Sequence, residues 1–119
     1  DVCVPVSRLA DCIDETRADA QAAGLLAPIV GHVGDGNFHV TLLIDTATPA
    51  EIDKAEAFMA RLAERALDMD GTCTGEHGVG QGKRGYLSRE LGPAVDVMRA
   101  IKTALDPHGI LNPGAVLRG

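Results

Sequence analysis

The chain has 119 residues, 45% of them hydrophobic and 3% aromatic, with a formal net charge of -6, and this length predicts one domain with a modest core. The acidic balance, without a basic stripe, argues against nucleic acid or an anionic membrane surface as the partner. Three cysteines without CxxC spacing indicate neither a disulfide framework nor a cysteine-based zinc site, so we expect a reducing, cytoplasmic environment, with membrane association only through partners.

Strand and helix patterns alternate from the first residues onward. A short strand over residues 2–6 precedes a helix that Ser7 caps and Gly24 ends. Two further strands, over 26–32 and 38–44, form a hairpin. The first half of the chain therefore predicts a strand, a helix and a β-hairpin.

The second half continues the alternation. Thr48 opens a capping box with Pro49 at the first helical position and Glu51 at the third. The helix that follows has an apolar stripe that is predicted to be buried in the core, made of Ile52, Ala55, Met59, Leu62 and Ala66. A last short strand over 72–75 completes the order βαββαβ. We predict an α+β, ferredoxin-like antiparallel sheet with both helices on one face, plus a C-terminal helix over about 93–105 and a tail.

Two histidines flank an Asp-Gly pair in the run from Gly31 to His39. If Asp35-Gly36 is a two-residue hairpin loop, His32 lies opposite His39 and Val33 lies opposite Phe38. Directly opposite residues have Cβ atoms about 4.5–5.5 Å apart. Both imidazoles would then reach one metal ion or one substrate, while Val33, Phe38 and their apolar neighbours face the helices.

A second polar cluster places Glu76 beside His77 within a glycine-rich run. Flanking glycines permit a ligand to approach the backbone closely, which favours a functional role. The alternatives are a solvated turn carboxylate and a hydrogen-bonded structural histidine. Because adjacent residues point to opposite sides of a strand, one site can use both only if the backbone bends there.

The run over 80–85 matches GxGxxG but lacks the context of a dinucleotide fingerprint. That fingerprint follows a buried parallel strand and opens a helix, and neither pattern is evident here. A nicotinamide site is therefore not predicted.

Three ordered segments, 31–39, 74–80 and 105–114, resemble the C-terminal half of the FAD-linked 2-hydroxyacid dehydrogenases. That group includes the glycolate oxidase FAD subunit, the cytochrome-type D-lactate dehydrogenase and D-2-hydroxyglutarate dehydrogenase. The resemblance implies that residues 1–119 belong to the substrate (cap) domain and that the FAD-binding domain lies outside this chain. The start on a strand pattern, without an initiator methionine or a signal peptide, also leads us to expect a fragment.

The chemistry of these side chains can be argued separately. Two neutral imidazoles and one carboxylate form a three-ligand set for Zn²⁺ or another divalent ion, with an open position for substrate. A 2-hydroxy acid can chelate such an ion through its carboxylate and hydroxyl groups, which lowers the pKa of the hydroxyl. His77 is the candidate general base, and the hydride acceptor must be a cofactor because no side chain accepts a hydride.

By resemblance, the acceptor is FAD, bound mainly by the missing domain, and the reaction oxidises a D-lactate, glycolate or D-2-hydroxyglutarate type of 2-hydroxy acid to the 2-oxo acid. The resemblance implies His32, His39 and Glu76 as metal ligands, His77 as the base and Asn112 as a residue near the flavin. It also implies the FAD-binding domain and an electron acceptor as partners, and it leaves homo-oligomer formation open. The isolated fragment is expected to be inactive.

The chain departs from the family pattern at Thr41, where the D-2-hydroxyglutarate type tends to carry asparagine. The substrate contacts of that type are therefore not carried over to this position. Some relatives also work without a metal. The alternative from another class is a stand-alone ferredoxin-like module that binds a metal or small ligand without catalysis.

Overall fold

The computed structural model describes residues 1–117, and the chain divides into two compact units, Asp1–Glu76 and His77–Gly119. The last two residues of the predicted tail lie outside the described part. The elements, with two short 3-10 turns at Val6–Arg8 and Val33–Asp35, are β1 (Val2–Cys3), α1 (Leu9–Ala22), β2 (Ile29–His32), β3 (Asn37–Val40), α2 (Pro49–Asp68), α3 (Leu87–Leu91) and α4 (Ala94–Leu105).

The sheet of the first unit is antiparallel, with β3 between β1 and β2. Thr72 pairs with Cys3 on the outer edge of β1. This is the spatial order of a ferredoxin-like sheet, and the α+β prediction is confirmed. The predicted strand over 72–75 is reduced to this single bridge, because the N–H groups of Thr74 and Gly75 bond to side-chain oxygens instead of β1.

The helices α1 and α2 cover one face of the sheet. Val2 and Phe38 point into this core, where Phe58 of α2 is fully buried. The prediction that Met59 belongs to the buried stripe is wrong, since 51% of its surface is exposed. The neighbouring phenylalanine takes the inward position because it removes more apolar surface from water.

Both helix starts differ from the predicted caps. Ser7 lies within a 3-10 turn, and α1 begins two residues later without a side-chain cap. Thr48 is the N-cap of α2, but its hydroxyl donates to Asp45 at 3.1 Å, and Glu51 accepts the N–H of Asp45 at 2.7 Å. The Thr48 hydroxyl thus bonds to Asp45, three residues before it, and not to the first turn of α2. The reason is that the loop before α2 folds back over the start of the helix. The end of α1 is as predicted, with the N–H of Leu25 bonded to the carbonyl of Ala20.

A carboxylate on α1 ties the two helices together. Asp19 accepts hydrogen bonds from Arg61 at 2.7 Å and from Arg65 at 2.9 Å, and Arg65 also donates to Thr16. The side chains of Asp19 and Arg65 are each only 14% exposed. Hydrogen bonds from Arg61, reinforced by Arg65, hold the pKa of Asp19 below its usual value.

We therefore expect Asp19→Asn to lower the free energy of unfolding by about 1.5–3 kcal/mol at pH 7, the range for hydrogen bonds to charged groups. A lowered folded-state pKa gives stability that is present above the unfolded pKa, about 3.9, and is lost as pH falls through the folded value. The difference from wild type should shrink below about pH 4, as measured by denaturant unfolding at several pH values. Asp14→Asn is the control, because the Asp14 side chain is 79% exposed; an equal effect there would contradict the prediction.

The second unit contains α3, which the sequence pattern did not reveal, and α4, which begins one residue after its predicted start. Asp106, only 7% exposed, ends α4 and accepts the N–H groups of Ile110 and Leu111, each at 3.0 Å. Its bond from the Lys102 ammonium is the largest cause that lowers the pKa of Asp106. This carboxylate fixes the loop after α4. Among the described residues, no helix is both long enough and apolar enough to cross a membrane.

Candidate metal centre

The histidine hairpin has a longer loop than predicted. His32 pairs with Asn37, and Val30 pairs with His39, so the predicted pairs of His32 with His39 and Val33 with Phe38 are wrong. The residues between the strands form a 3-10 turn, Val33–Asp35, followed by Gly36. Val33 is 67% exposed, whereas Phe38 is buried opposite Gly31.

Contacts with the chain after β1 explain this loop. Gly36 has φ 71°, and its carbonyl accepts the N–H of Val4 at 3.0 Å. A Cβ at this position would lie 2.0 Å from the carbonyl oxygen of Val4. The loop is therefore fixed by packing against a segment about 30 residues earlier, which a local turn signal does not reveal.

The histidines nevertheless share one face of the sheet. Directly paired residues lie on the same face, and so do residues two apart along a strand. His32 pairs with Asn37, and His39 follows Asn37 by two. The two imidazole centroids are 5.7 Å apart with an interplanar angle of 89°. The observed strand register is shifted by two residues from the predicted one. Because an even shift keeps each side chain on the same face of the sheet, the two histidines share a face as predicted.

Glu76, the last residue of the first unit, lies against the two histidines and completes the cluster. Its Oε1 lies 3.3 Å from Nε2 of His32 and 3.0 Å from Nε2 of His39. The backbone reaches this point because Gly75 donates its N–H to the Asp1 carboxylate at 2.9 Å. One oxygen therefore meets two imidazole nitrogens that come from different strands.

The spacing of these donors suits one small divalent ion. Ligands about 2.0–2.1 Å from a tetrahedral ion lie about 3.3 Å from one another. One donor atom from each of His32, His39 and Glu76 falls within 4.8 Å of the others. Two imidazoles and a carboxylate are also a donor set that Zn²⁺ accepts. The residues present therefore fit a metal ion.

The cluster is accessible from one side. The His39 side chain is 17% exposed, against 57% for His32 and 53% for Glu76. An open cavity of about 460 Å³ adjoins the cluster, with a lining of Cys3, His32, Asp35, Asn37, Gly75 and Glu76. A small ligand can therefore reach the carboxylate and His32 while His39 stays embedded.

The other two predicted site residues belong to the second unit. His77 is its first residue and is exposed. Asn112 is exposed in the loop after α4, at φ 47°, and its carbonyl accepts the N–H of Ala115 at 3.3 Å. The roles given to His77 and Asn112 stay predictions.

Sequence reasoning missed Asn37, which lines the cavity and is only 6% exposed. A signal for it was present, since Asn37 stands two residues before His39 and so shares its face in any strand. On that face the Asn37 amide packs against Gly75, which lies 38 positions further along the chain.

An α+β unit with a histidine–carboxylate cluster on one sheet face defines a domain with a candidate metal centre. Residues 1–116 match the model of the family "FAD linked oxidases, C-terminal domain", and the chain belongs to this family. It is 53% identical to the "Probable D-lactate dehydrogenase, mitochondrial" of Danio rerio, over 98% of this chain and 24% of that protein. It is 51% identical to "D-lactate dehydrogenase [cytochrome] 1, mitochondrial" of Saccharomyces cerevisiae, over 99% of this chain and 20% of that protein.

A more distant relative is the "Glycolate oxidase subunit GlcD" of Bacillus subtilis, 39% identical over 96% of this chain and 24% of that protein. The chain thus spans about a fifth to a quarter of the length of these relatives. The family resemblance inferred from the three motifs is confirmed.

The prediction of a cytoplasmic protein is wrong by the same comparison. Four relatives with 46–53% identity are named as mitochondrial D-lactate dehydrogenases. The prediction rested on the cysteine pattern, which shows only that the three cysteines form no disulfide. That absence does not distinguish one reducing compartment from another.

Proposed function

We propose that this chain forms the substrate side of a flavoprotein that oxidises a 2-hydroxy acid of the D-lactate or glycolate type to the 2-oxo acid. The observation that carries the proposal is the convergence of His32, His39 and Glu76 on one accessible face. Relatives that share about half of the residues are named D-lactate dehydrogenases, which supports the substrate class.

The cluster is proposed to hold one divalent ion, with Zn²⁺ as the first candidate. A bound ion would attract the carboxylate and hydroxyl groups of the substrate and lower the pKa of that hydroxyl. Glu76 and His32 contribute the accessible part of the ligand set, whereas the embedded His39 orients it. These three side chains would thus bind and orient the 2-hydroxy acid.

His77 is proposed as the general base, because imidazole is the side chain that most often accepts a proton in general base catalysis. The hydride that leaves the α-carbon needs an acceptor other than a side chain, and the family supplies FAD for this role. Asn112 is proposed to contact the flavin, and its exposed side chain is available to a group held by another part of the polypeptide.

The test uses full-length protein purified without chelator. We expect about one divalent ion per chain by elemental analysis, and anaerobic bleaching of the flavin spectrum by D-lactate or glycolate. Removal of the ion by a chelator should slow flavin reduction, and added Zn²⁺ should restore it. Unchanged reduction without the ion would contradict the metal-assisted mechanism. A protein that holds metal but never reduces flavin would instead be the non-catalytic binding module.

A further inference from the structure

Asn37 is a buried amide in the wall of the candidate metal centre. It sits on the central strand, paired with His32 on one side and Cys3 on the other. Only 6% of its surface is exposed, and its Oδ1 has no hydrogen-bond partner among the described residues. A buried acceptor without a partner lowers the stability of the folded state. Such a group needs an explanation other than ordinary packing.

The amide occupies the space beside Gly75. A Cβ on Gly75 would lie 2.0 Å from Oδ1 and 2.6 Å from Cγ of Asn37. The Asp1 carboxylate holds the N–H of the same glycine. Because Glu76 is the next residue, contact between Asn37 and Gly75 determines where the Glu76 side chain begins.

Packing by itself does not explain an amide at this position. A leucine has a similarly branched shape and would fill the space without leaving a buried acceptor. The carbonyl of Asn37 instead buries the negative end of a dipole beside Gly75, next to the cavity that Asn37, His32 and Glu76 line. Such a dipole, which no donor balances among the described residues, favours a positively charged guest.

We propose that Asn37 is a positioning residue of a divalent-cation site, an inference that rests on the metal-assisted function proposed above. Its amide holds Gly75 and Glu76 against the two histidines. Its carbonyl dipole also strengthens the attraction of the site for the cation. The structure thus assigns a fourth residue to the cluster, one that positions Glu76 and adds a dipole to the site without contacting the reacting atoms.

The first test is Asn37→Leu in the full-length protein. Substitution of a residue that orients metal ligands typically lowers the metal affinity about 10–100-fold. We expect Zn²⁺ affinity, measured by competition with a chelating dye, to fall by about that factor. The thermal unfolding midpoint should stay equal to that of the wild type or rise, because a buried unpaired acceptor is removed. Val33→Ser is the control, since Val33 lies in the same hairpin loop and is 67% exposed; it should leave Zn²⁺ affinity unchanged.

The second test separates packing from chemistry. Gly75→Ala should disturb the site because the new methyl group collides with the Asn37 amide. In the double variant Asn37→Ala/Gly75→Ala, that methyl group occupies the vacated space, and its remaining close neighbour is the Asp1 carboxylate oxygen at 2.8 Å. We expect the double variant to regain thermal stability relative to Gly75→Ala but to keep a weakened affinity for Zn²⁺.

Wild-type Zn²⁺ affinity in Asn37→Leu, or its full recovery in the double variant, would overturn the assignment, because the amide would then be only a spacer. If the wild-type protein binds no Zn²⁺, both the proposed metal site and the role of Asn37 are overturned. The measurement on the wild type comes first, so a failure of the metal site is distinguished from a failure of the Asn37 assignment. Weakened affinity with an intact unfolding midpoint supports the role of Asn37.

Discussion

Glu76→Ala in the full-length protein is expected to lose the divalent ion and the activity together, whereas His77→Ala should keep the ion and lose only rate. The Glu76 carboxylate meets both imidazole nitrogens, so its removal leaves two ligands where three converge. Metal binding requires the complete set of deprotonated ligands, so affinity and substrate binding fall together. Loss of a general base typically costs about 10²–10⁴-fold, and we expect kcat of His77→Ala to fall by that factor.

The measurements are metal content by elemental analysis and the rate of flavin reduction in stopped flow. Glu76→Gln is a useful companion, because it keeps the size of the side chain and removes its charge. If His77→Ala strips the metal and Glu76→Ala retains it, the two roles have been assigned the wrong way round. If both variants keep metal and rate, neither residue belongs to the site.

Gly36→Ala is expected to destabilise the protein by about 2–5 kcal/mol. An L-residue in the left-handed region costs roughly 1–2 kcal/mol, and a forced backbone shift adds about 1–3 kcal/mol. Both terms apply, since Gly36 has φ 71° and its added Cβ would lie 2.0 Å from the Val4 carbonyl oxygen. Because this glycine ends the loop between His32 and His39, metal retention should fall with stability.

The matched control is Gly34→Ala, two residues earlier in the same loop. A Cβ on Gly34 meets nothing within 4 Å, so we expect a change within about 0.5 kcal/mol. Thermal unfolding and metal content of both variants are the measurements. Equal losses would show that the loop does not depend on its contact with Val4.

Local sequence signals were sufficient where a neighbour a few residues away decides the structure. Pro49 at the first helical position marked the start of α2, and Gly24 marked the end of α1. The cap at Thr48 failed because Asp45, from the preceding loop, competes for its hydroxyl. Met59 was misplaced because only packing against the sheet shows that Phe58 turns inward.

The sequence alone was enough to place His32 and His39 on one sheet face. The face of a strand residue depends only on whether its position is odd or even, and an even shift in register preserves it. The sequence also determined the family, through three ordered motifs. The register of the two strands depends on long-range packing, because the loop between them is fixed by its hydrogen bond with Val4. Tertiary structure alone also brought Glu76 to the histidines and buried Asn37 against Gly75. These contacts join residues more than 30 positions apart, and no local pattern encodes such distances.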